Sequence, residues 1–200
     1  QDYKEAMKWY KLAADQGYSG AQSNLGYMYD FGKGVSQDYK EAVKWYRLAA
    51  DQGDSVAQSN LGFMYFEGKG VSQDYKEAVK WYRLAAEQGN SRAQFNLGLL
   101  YDNGQGILQD YKEAMKWYKL AADQGYNFAH SNLGSMYALG YGTPVDFLTA
   151  HMHFNLANYF GDDSALKKKK VVENAIRPQD ISIALQMARE WLAEYEKRTN

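Results

Sequence analysis

The hexapeptide Gln-Asp-Tyr-Lys-Glu-Ala begins at Gln1, Gln37, Gln73 and Gln109, so the chain repeats itself every 36 residues. No other feature restricts the fold as strongly. A unit of that length cannot bury an apolar face alone, and a fixed period in this range marks a stack in which each unit is covered by its neighbours. A worn fifth copy follows at the same interval. It carries Val145-Asp146-Phe147, then Ala150, Phe154, Ala157 and Gly161 at the places of Ala6, Tyr10, Ala13 and Gly17. The period also accounts for an unusual composition, 18 Tyr with 5 Trp and 8 Phe in 200 residues.

Each unit reads as two short helices. In the second copy Asp38 is placed to cap a helix start, with Glu41 as its capping-box partner. Tyr39, Ala42, Trp45, Tyr46, Ala49 and Ala50 then recur at helical spacing, and Gly53 ends the run. Ser55 with Gln58 predicts a second capping box, repeated as Ser19 with Gln22 and Ser91 with Gln94. Ala57, Leu61, Met64 and Tyr65 supply the apolar face of the second helix, which Gly68 stops. The pairs Gly32/Gly34, Gly68/Gly70, Gly104/Gly106 and Gly140/Gly142 turn the chain into the next unit. Nothing alternates with period two, so the expected class is all-α, a solenoid of helical hairpins.

The repeat run covers residues 1–163, and residues 164–200 leave the period. Lys167 to Lys170 and Val171-Val172 stand where Leu-Gly and Tyr belong, on a segment Ser164–Ile176 expected to be helical. Pro178 suits the first turn of a last helix. Ile181, Ala184, Leu185, Ala188, Trp191, Leu192 and Tyr195 form one apolar stripe on it. The pair is expected to cap the stack, with a polar outer face.

Several function classes fall away. Lys plus Arg is 23 and Asp plus Glu is 24, a net charge of −1, without the basic footprint of a nucleic-acid binder. There is no cysteine, hence no disulfide framework, thiolate metal site or cysteine nucleophile. The uncharged stretch Gly125 to Val145 is broken by glycines, polar residues and Pro144 and is no membrane span. Among the three histidines, His151 and His153 point to different sides of a helix, and His153 replaces a repeat Trp, so a core position is expected rather than a metal site. Asp38, Asp74 and Asp110 with Glu41, Glu77 and Glu113 recur as helix caps, which explains them better than acid–base catalysis. The Gly-x-Gly turns follow helices, the wrong context for a dinucleotide fingerprint. Trp9, Trp45, Trp81 and Trp117 recur in core phase, and Lys167 to Lys170 encircle a solvated helix. No catalytic residue, cofactor or metal is expected.

The run A-x-x-x-L-G-x-x-Y-x-x-G-x-G-V-x-x-D-x-x-x-A-x-x-W-x-x-x-A-A-x-x-G, for example Ala57 to Gly89, resembles the Sel1-like repeat family, relatives of the tetratricopeptide repeats. The resemblance implies a right-handed αα superhelix of 36-residue helical hairpins, a concave surface lined by the Leu-Gly helices, and a role in holding proteins together. In the family's phase residues 1–17 are the second half of a repeat, followed by about four units, and the chain looks like a fragment. Some cysteine-rich relatives act on cell-wall or β-lactam-like substrates, an alternative weakened here by the missing cysteines. Uniform copies resemble bacterial members, with cytoplasmic and exported locations both open.

The copies serve as controls for one another. Gln37–Ser72 and Gln73–Leu108 differ at 11 of 36 positions, and the first 14 are identical. The differences gather in the Leu-Gly helix: Val56/Arg92, Ser59/Phe95, Phe63/Leu99, Phe66/Asp102 and Glu67/Asn103. The first and fourth copies differ likewise at Gly20/Phe128, Tyr27/Ser135, Asp30/Ala138 and Phe31/Leu139. At about 100° per residue these sites fill one arc of roughly 100°, centred about 150° from the core set. By the resemblance, that arc faces the concave groove. Asparagines run beside it at Asn24, Asn60, Asn96 and Asn132, suited to a peptide backbone or to a structural bond with a neighbouring element.

The expected function is therefore a non-catalytic scaffold or adaptor that holds a peptide or protein segment. Tyr27, Phe31, Phe63, Phe66, Phe95, Leu99 and Phe128 would anchor it, Arg92, Asp30 and Asp102 would set register, and the asparagines would read backbone. Self-association through apolar surface around Trp9, Tyr10 and Ala13 is the other expectation. Neither nucleic acid nor membrane insertion enters the reading.

Overall fold

The computed structural model describes residues 2–199. Among these the chain is helix and turn throughout, with eleven helices and no strand. They are α1 (Tyr3–Asp15), α2 (Ser19–Phe31), α3 (Tyr39–Asp51), α4 (Ser55–Glu67), α5 (Tyr75–Glu87), α6 (Ser91–Asn103), α7 (Tyr111–Ala122), α8 (Asn127–Leu139), α9 (Phe147–Tyr159), α10 (Ala165–Glu173) and α11 (Pro178–Thr199). The chain divides into two compact units. The first is Gln1–Leu100 with Gly104–Leu108, the second Tyr101–Asn103 with Gln109–Asn200.

The expected helix starts form at the aspartates. Oδ1 of Asp38, Asp74 and Asp110 each accepts two backbone N–H groups, at 2.9 and 3.1 Å. The reciprocal half of the box is absent. The Asp38 N–H is already donated to the Tyr29 carbonyl at 2.9 Å, and Glu41 turns to Lys44 at 3.3 Å.

The serine–glutamine boxes do not form either. The caps sit one residue earlier, where Asp54 and Asn90 accept from the N–H of Ala57 and Ala93. Gln58 and Gln94 are instead buried, and their Nε2 atoms donate to the Ala50 and Ala86 carbonyls of the preceding helix at 3.1 Å. Those carbonyls lie at a helix end sealed from water, so the long amide satisfies an otherwise orphaned acceptor. Gln52 and Gln88 extend the chain of bonds, reaching Gln22 and Gln58 Oε1 at 2.7 Å.

Two glycines per repeat set the packing. A Cβ on Gly62 would lie 2.8 Å from the Tyr82 ring, so the Leu-Gly pair opens a seat for the next aromatic. Gly34, at φ +74°, brings its turn onto the backbone of Tyr3, where a Cβ would meet the carbonyl at 2.6 Å. In the first unit Ala42, Tyr46, Ala49, Leu61 and Met64 form a core that also takes in Trp81 of the following repeat. In the second unit Ala150, Phe154 and Ala157 pack with Ala165 and Val172 of α10. α11 lays Ala188, Trp191 and Leu192 on Met152 and Leu156. Trp45, Trp81 and Trp117 are buried as expected, whereas Trp9 is 66% exposed.

Candidate partner-binding face

In the first unit the variable stripe lines open recesses rather than the core. One, of about 50 Å³, is walled by Phe63 and Phe66 of α4, Asn96 and Leu99 of α6, and Tyr82 of α5. A second, of about 160 Å³, lies over α1 and α2 and is lined by Tyr3, Tyr10, Asn24, Tyr27 and Lys33. Tyr27 and Phe31 are exposed, with ring centroids 4.6 Å apart. Phe66 meets Tyr75 edge-on at 5.5 Å, and Phe95 is half-buried. Phe63 carries two cations: Lys69 Nζ lies 4.9 Å and the Arg92 guanidinium 5.3 Å from its centroid. Arg92 also donates to Asn60 Oδ1 at 3.3 Å. The face thus combines apolar rings with exposed positive charge, and contacts of this kind strengthen where water is displaced.

The second unit carries Phe128, exposed and edge-on to Tyr126 at 6.1 Å, and Leu139, also exposed. Asn132 hydrogen-bonds the Tyr118 hydroxyl. Of the four asparagines, Asn60 and Asn132 therefore have structural partners on neighbouring helices, Asn24 is exposed, and Asn96 lines a recess.

The register-setting aspartates sit differently from the expectation. Asp30 is buried and accepts from the Tyr46 hydroxyl at 3.3 Å, and Asp102 accepts from Tyr118 at 3.2 Å. Burial raises the carboxyl pKa of Asp30, partly offset by the Tyr46 bond and by the charges of Lys69 and Arg92. Burial raises Asp102 too, against the Tyr118 bond. Both phenols are pushed upward, first by burial and then by the carboxylate they face. These aspartates are spent on the floor of the face. The helix periodicity placed them correctly around the axis but said nothing of a hydroxyl 16 residues further on.

The Sel1 repeat family matches residues 1–18, 19–54, 55–90, 91–126 and 127–159. The chain belongs to the Sel1 repeat family. A Sel1 repeat protein from Oxalobacter formigenes is 36% identical with a TM-score of 0.81, the alignment covering 96% of this chain and 76% of that one. A protective antigen of uropathogenic Escherichia coli displaying an SLR fold is likewise 36% identical, with a TM-score of 0.83 over 99% of this chain. The present chain spans 42% of that antigen's length. Helicobacter pylori cysteine rich protein B, 20% identical with a TM-score of 0.52 over 66% of this chain and 94% of its own, shares the fold. A search of curated proteins finds no significant match. The all-α αα-solenoid class expected from the period is thus the observed one, and Sel1 repeat solenoids typically serve protein–protein interaction.

One polar cluster of this Sel1 chain escaped the sequence reading. His130 and His153 face each other in the second unit, Nδ1 to Nδ1 at 3.1 Å, both buried. His130 stacks on Phe160 and meets Trp191 edge-on, while His153 stacks on Tyr137. Burial pushes the His130 pKa down to about 4, the Ala122 carbonyl pulling slightly the other way. Burial, then His130 and Lys119, drive His153 well below the ordinary imidazole range. The signal was present: His130 replaces Gln22, Gln58 and Gln94 of the other copies, and His153 replaces Trp45, Trp81 and Trp117. Two departures from the period that meet in space are one change. His151 lies apart, with Nε2 3.0 Å from Glu173. Among the described residues no three His, Asp or Glu side chains converge as a metal site would need, and no helix is long and apolar enough to cross a membrane.

Proposed function

We propose that this chain is a non-catalytic adaptor that holds an extended segment of another protein along the variable stripe. The observation that carries the reading is Phe63, a half-buried ring in the wall of an open recess with Lys69 and Arg92 on it. A ring so placed offers a partner apolar area, and the two cations offer a carboxylate or backbone carbonyl a match. Asn24, Asn96 and Leu99 extend the same face within the first unit. In the second unit Phe128 stands at the repeat position of Arg92.

The test is capture and site-specific cross-linking with a photoreactive residue at position 63, and with one at exposed Lys40 as control. A partner joined at position 63, not at position 40, and lost on Phe63→Ala/Phe95→Ala/Leu99→Ala in a protein that melts normally is the expected result. Equal cross-linking at both positions overturns the reading.

A further inference from the structure

The exchange of tryptophan for His153 has a second consequence, on the outer side of α7. His153 stands three periods after Trp45 and two after Trp81. In the first unit each of those indoles leans on the preceding Tyr-Lys-Glu helix. Trp81 packs into a core with Ala42 and Val43 of α3, and Lys11 Nζ of α1 lies 5.4 Å from the Trp45 centroid. The residues in register with Val43 and Lys11 at the last step are Met115 and Lys119 of α7. His153 does not reach over them as an indole would. Its shorter ring is turned onto His130 at 3.1 Å and stacked on Tyr137 at 5.6 Å. What adjoins Met115 and Lys119 instead is an open cleft of about 510 Å³, completed by Lys112, Lys116, Leu120 and the turn Gly142–Thr143.

Two further departures fall at the same step, and the histidine pair accounts for neither. Thr149 replaces Glu5, Glu41, Glu77 and Glu113, and Thr143 replaces Val35, Val71 and Ile107. In the first unit Glu77 Oε2 accepts the Trp81 Nε1–H at 3.1 Å, so a flat ring and a carboxylate stand side by side. At the last step both are lost together. Thr149 carries no charge and donates to its own cap, Asp146, at 2.6 Å. The cations of the preceding helix are kept: Lys112, Lys116 and Lys119 stand where Lys76, Lys80 and Arg83 do one repeat earlier. Their spacing of four and three residues sets all three along one face of α7. Lys116 Nζ lies 3.5 Å from the Glu113 carboxylate, an exposed pair that yields readily to a competing anion. Lys119 Nζ lies 5.8 Å from the Tyr137 centroid, and among the described residues Lys112 enters no ion pair.

We propose that this cleft binds a small aromatic carboxylate, with its ring on Met115 and Leu120 and its carboxylate among the ammonium groups, Lys112 first. Such a ligand supplies from outside the ring and the carboxylate that Trp81 and Glu77 supply within the first unit. The volume is that of a small-molecule site, an apolar wall with a few polar groups. No acidic side chain lines it, which excludes a cation. An inorganic anion would leave Met115 and Leu120 uncovered, whereas an aryl ring covers them and lies under an ammonium as Trp45 lies under Lys11. The Thr143 hydroxyl adds a hydrogen-bonding group that Val71 and Ile107 lack. All of these residues belong to α7 and the turn before α9, outside the variable stripe, so the inference stands apart from the adaptor reading.

The test uses the full chain with indoleacetate, indoleacetamide and inorganic phosphate as probes, read on the methyl NMR signals of Met115, Leu120 and Thr143. Indoleacetate should shift these signals saturably, the amide should bind about fivefold more weakly, and phosphate should not displace the acid. Lys112→Met, an exposed change that leaves the fold intact, should reduce the preference for acid over amide, and Lys112→Arg should keep it. His153→Trp restores the residue of the other repeats and should weaken indoleacetate about tenfold or more in a protein that melts cooperatively. Absence of saturable shifts, equal binding of acid and amide, or a full preference surviving in Lys112→Met overturns the proposal. Undiminished binding by folded His153→Trp does so too, because the cleft would then not be the place of the missing indole.

Discussion

Acid should loosen the second unit through the His130–His153 pair. Both imidazoles are neutral in the fold, facing each other with Lys119 nearby and the rings of Tyr137, Phe160 and Trp191 around them. In the unfolded chain each titrates near its ordinary value of about 6.5. As pH falls below that value the unfolded state takes up protons that the folded state refuses, so stability falls until the folded pKa is reached. For His130 that lower limit is about 4. Between pH 7 and 5 His130 alone should cost about 2 kcal/mol, and His153 adds to the loss. The corresponding drop in melting temperature for a unit of this size is roughly 10 °C. His130→Gln restores the residue that the other repeats use on the equivalent carbonyl. Urea titrations of both proteins at the two pH values isolate the term, because the carboxylates are common to both. The variant should lose about 2 kcal/mol less than the wild type over that interval. Identical losses, or a His130 NMR titration with a midpoint near 6.5, would refute the reasoning.

Two further perturbations test the repeat packing. Tyr46→Phe removes the hydroxyl donor from buried Asp30 and should cost about 1–3 kcal/mol in urea unfolding at pH 7. Tyr46→Phe/Asp30→Ala, which reproduces the Phe154/Ala138 pair of the last repeat, should recover part of that loss, and strictly additive costs would deny the coupling. Gly62→Ala puts a Cβ 2.8 Å from the wedged Tyr82 ring. The overpacking outweighs the helix preference of alanine, for a net loss of about 1–2 kcal/mol, and a raised melting temperature would show that the ring yields freely.

The fold was legible because the period states the same instructions several times. Helix starts at Asp38, Asp74 and Asp110, stops at the glycines, and buried tryptophans all followed from local chemistry at recurring positions. The glutamines were misread for a physical reason. Gln58 stands three residues after Ser55, as a capping box requires, yet its partner is the Ala50 carbonyl eight residues back, reachable only once the hairpin has closed. The face was legible in part for the same reason. Periodicity gave the angular position of Tyr27, Phe31, Phe63 and Arg92, and these are exposed or half-buried. It could not reveal that Asp30 and Asp102 at the edge of the arc would be claimed by tyrosines of the next helix.

The departures from the period divide into two kinds, and the division has a physical basis. Asp30 with Tyr46 and Asp102 with Tyr118 give way together to Ala138 with Phe154, and Gln with Trp gives way to His130 with His153. Changing one member alone would leave a buried hydroxyl, carboxylate or imidazole unpaired, so stability itself ties the members together. Such paired changes need no partner to explain them. Tyr27, Phe63, Leu99 and Ser135 also exchange at one repeat position, but each stands at the edge of solvent, and the cations on Phe63, Lys69 and Arg92, give way to Gln105 and Phe128 one repeat on, where the residue is Leu99. Exposed contacts of this kind contribute about 0.5–1 kcal/mol, so the fold restricts these positions only weakly. Lys168 belongs with the paired changes. It replaces an asparagine of the ladder where Asp30 and Asp102 have given way to Ala138, and its ammonium donates to Ser131, which also bonds the buried Asp162. The carboxylate lost from the floor and the one held at Asp162 keep the step balanced, and the positive charge is answered inside the chain.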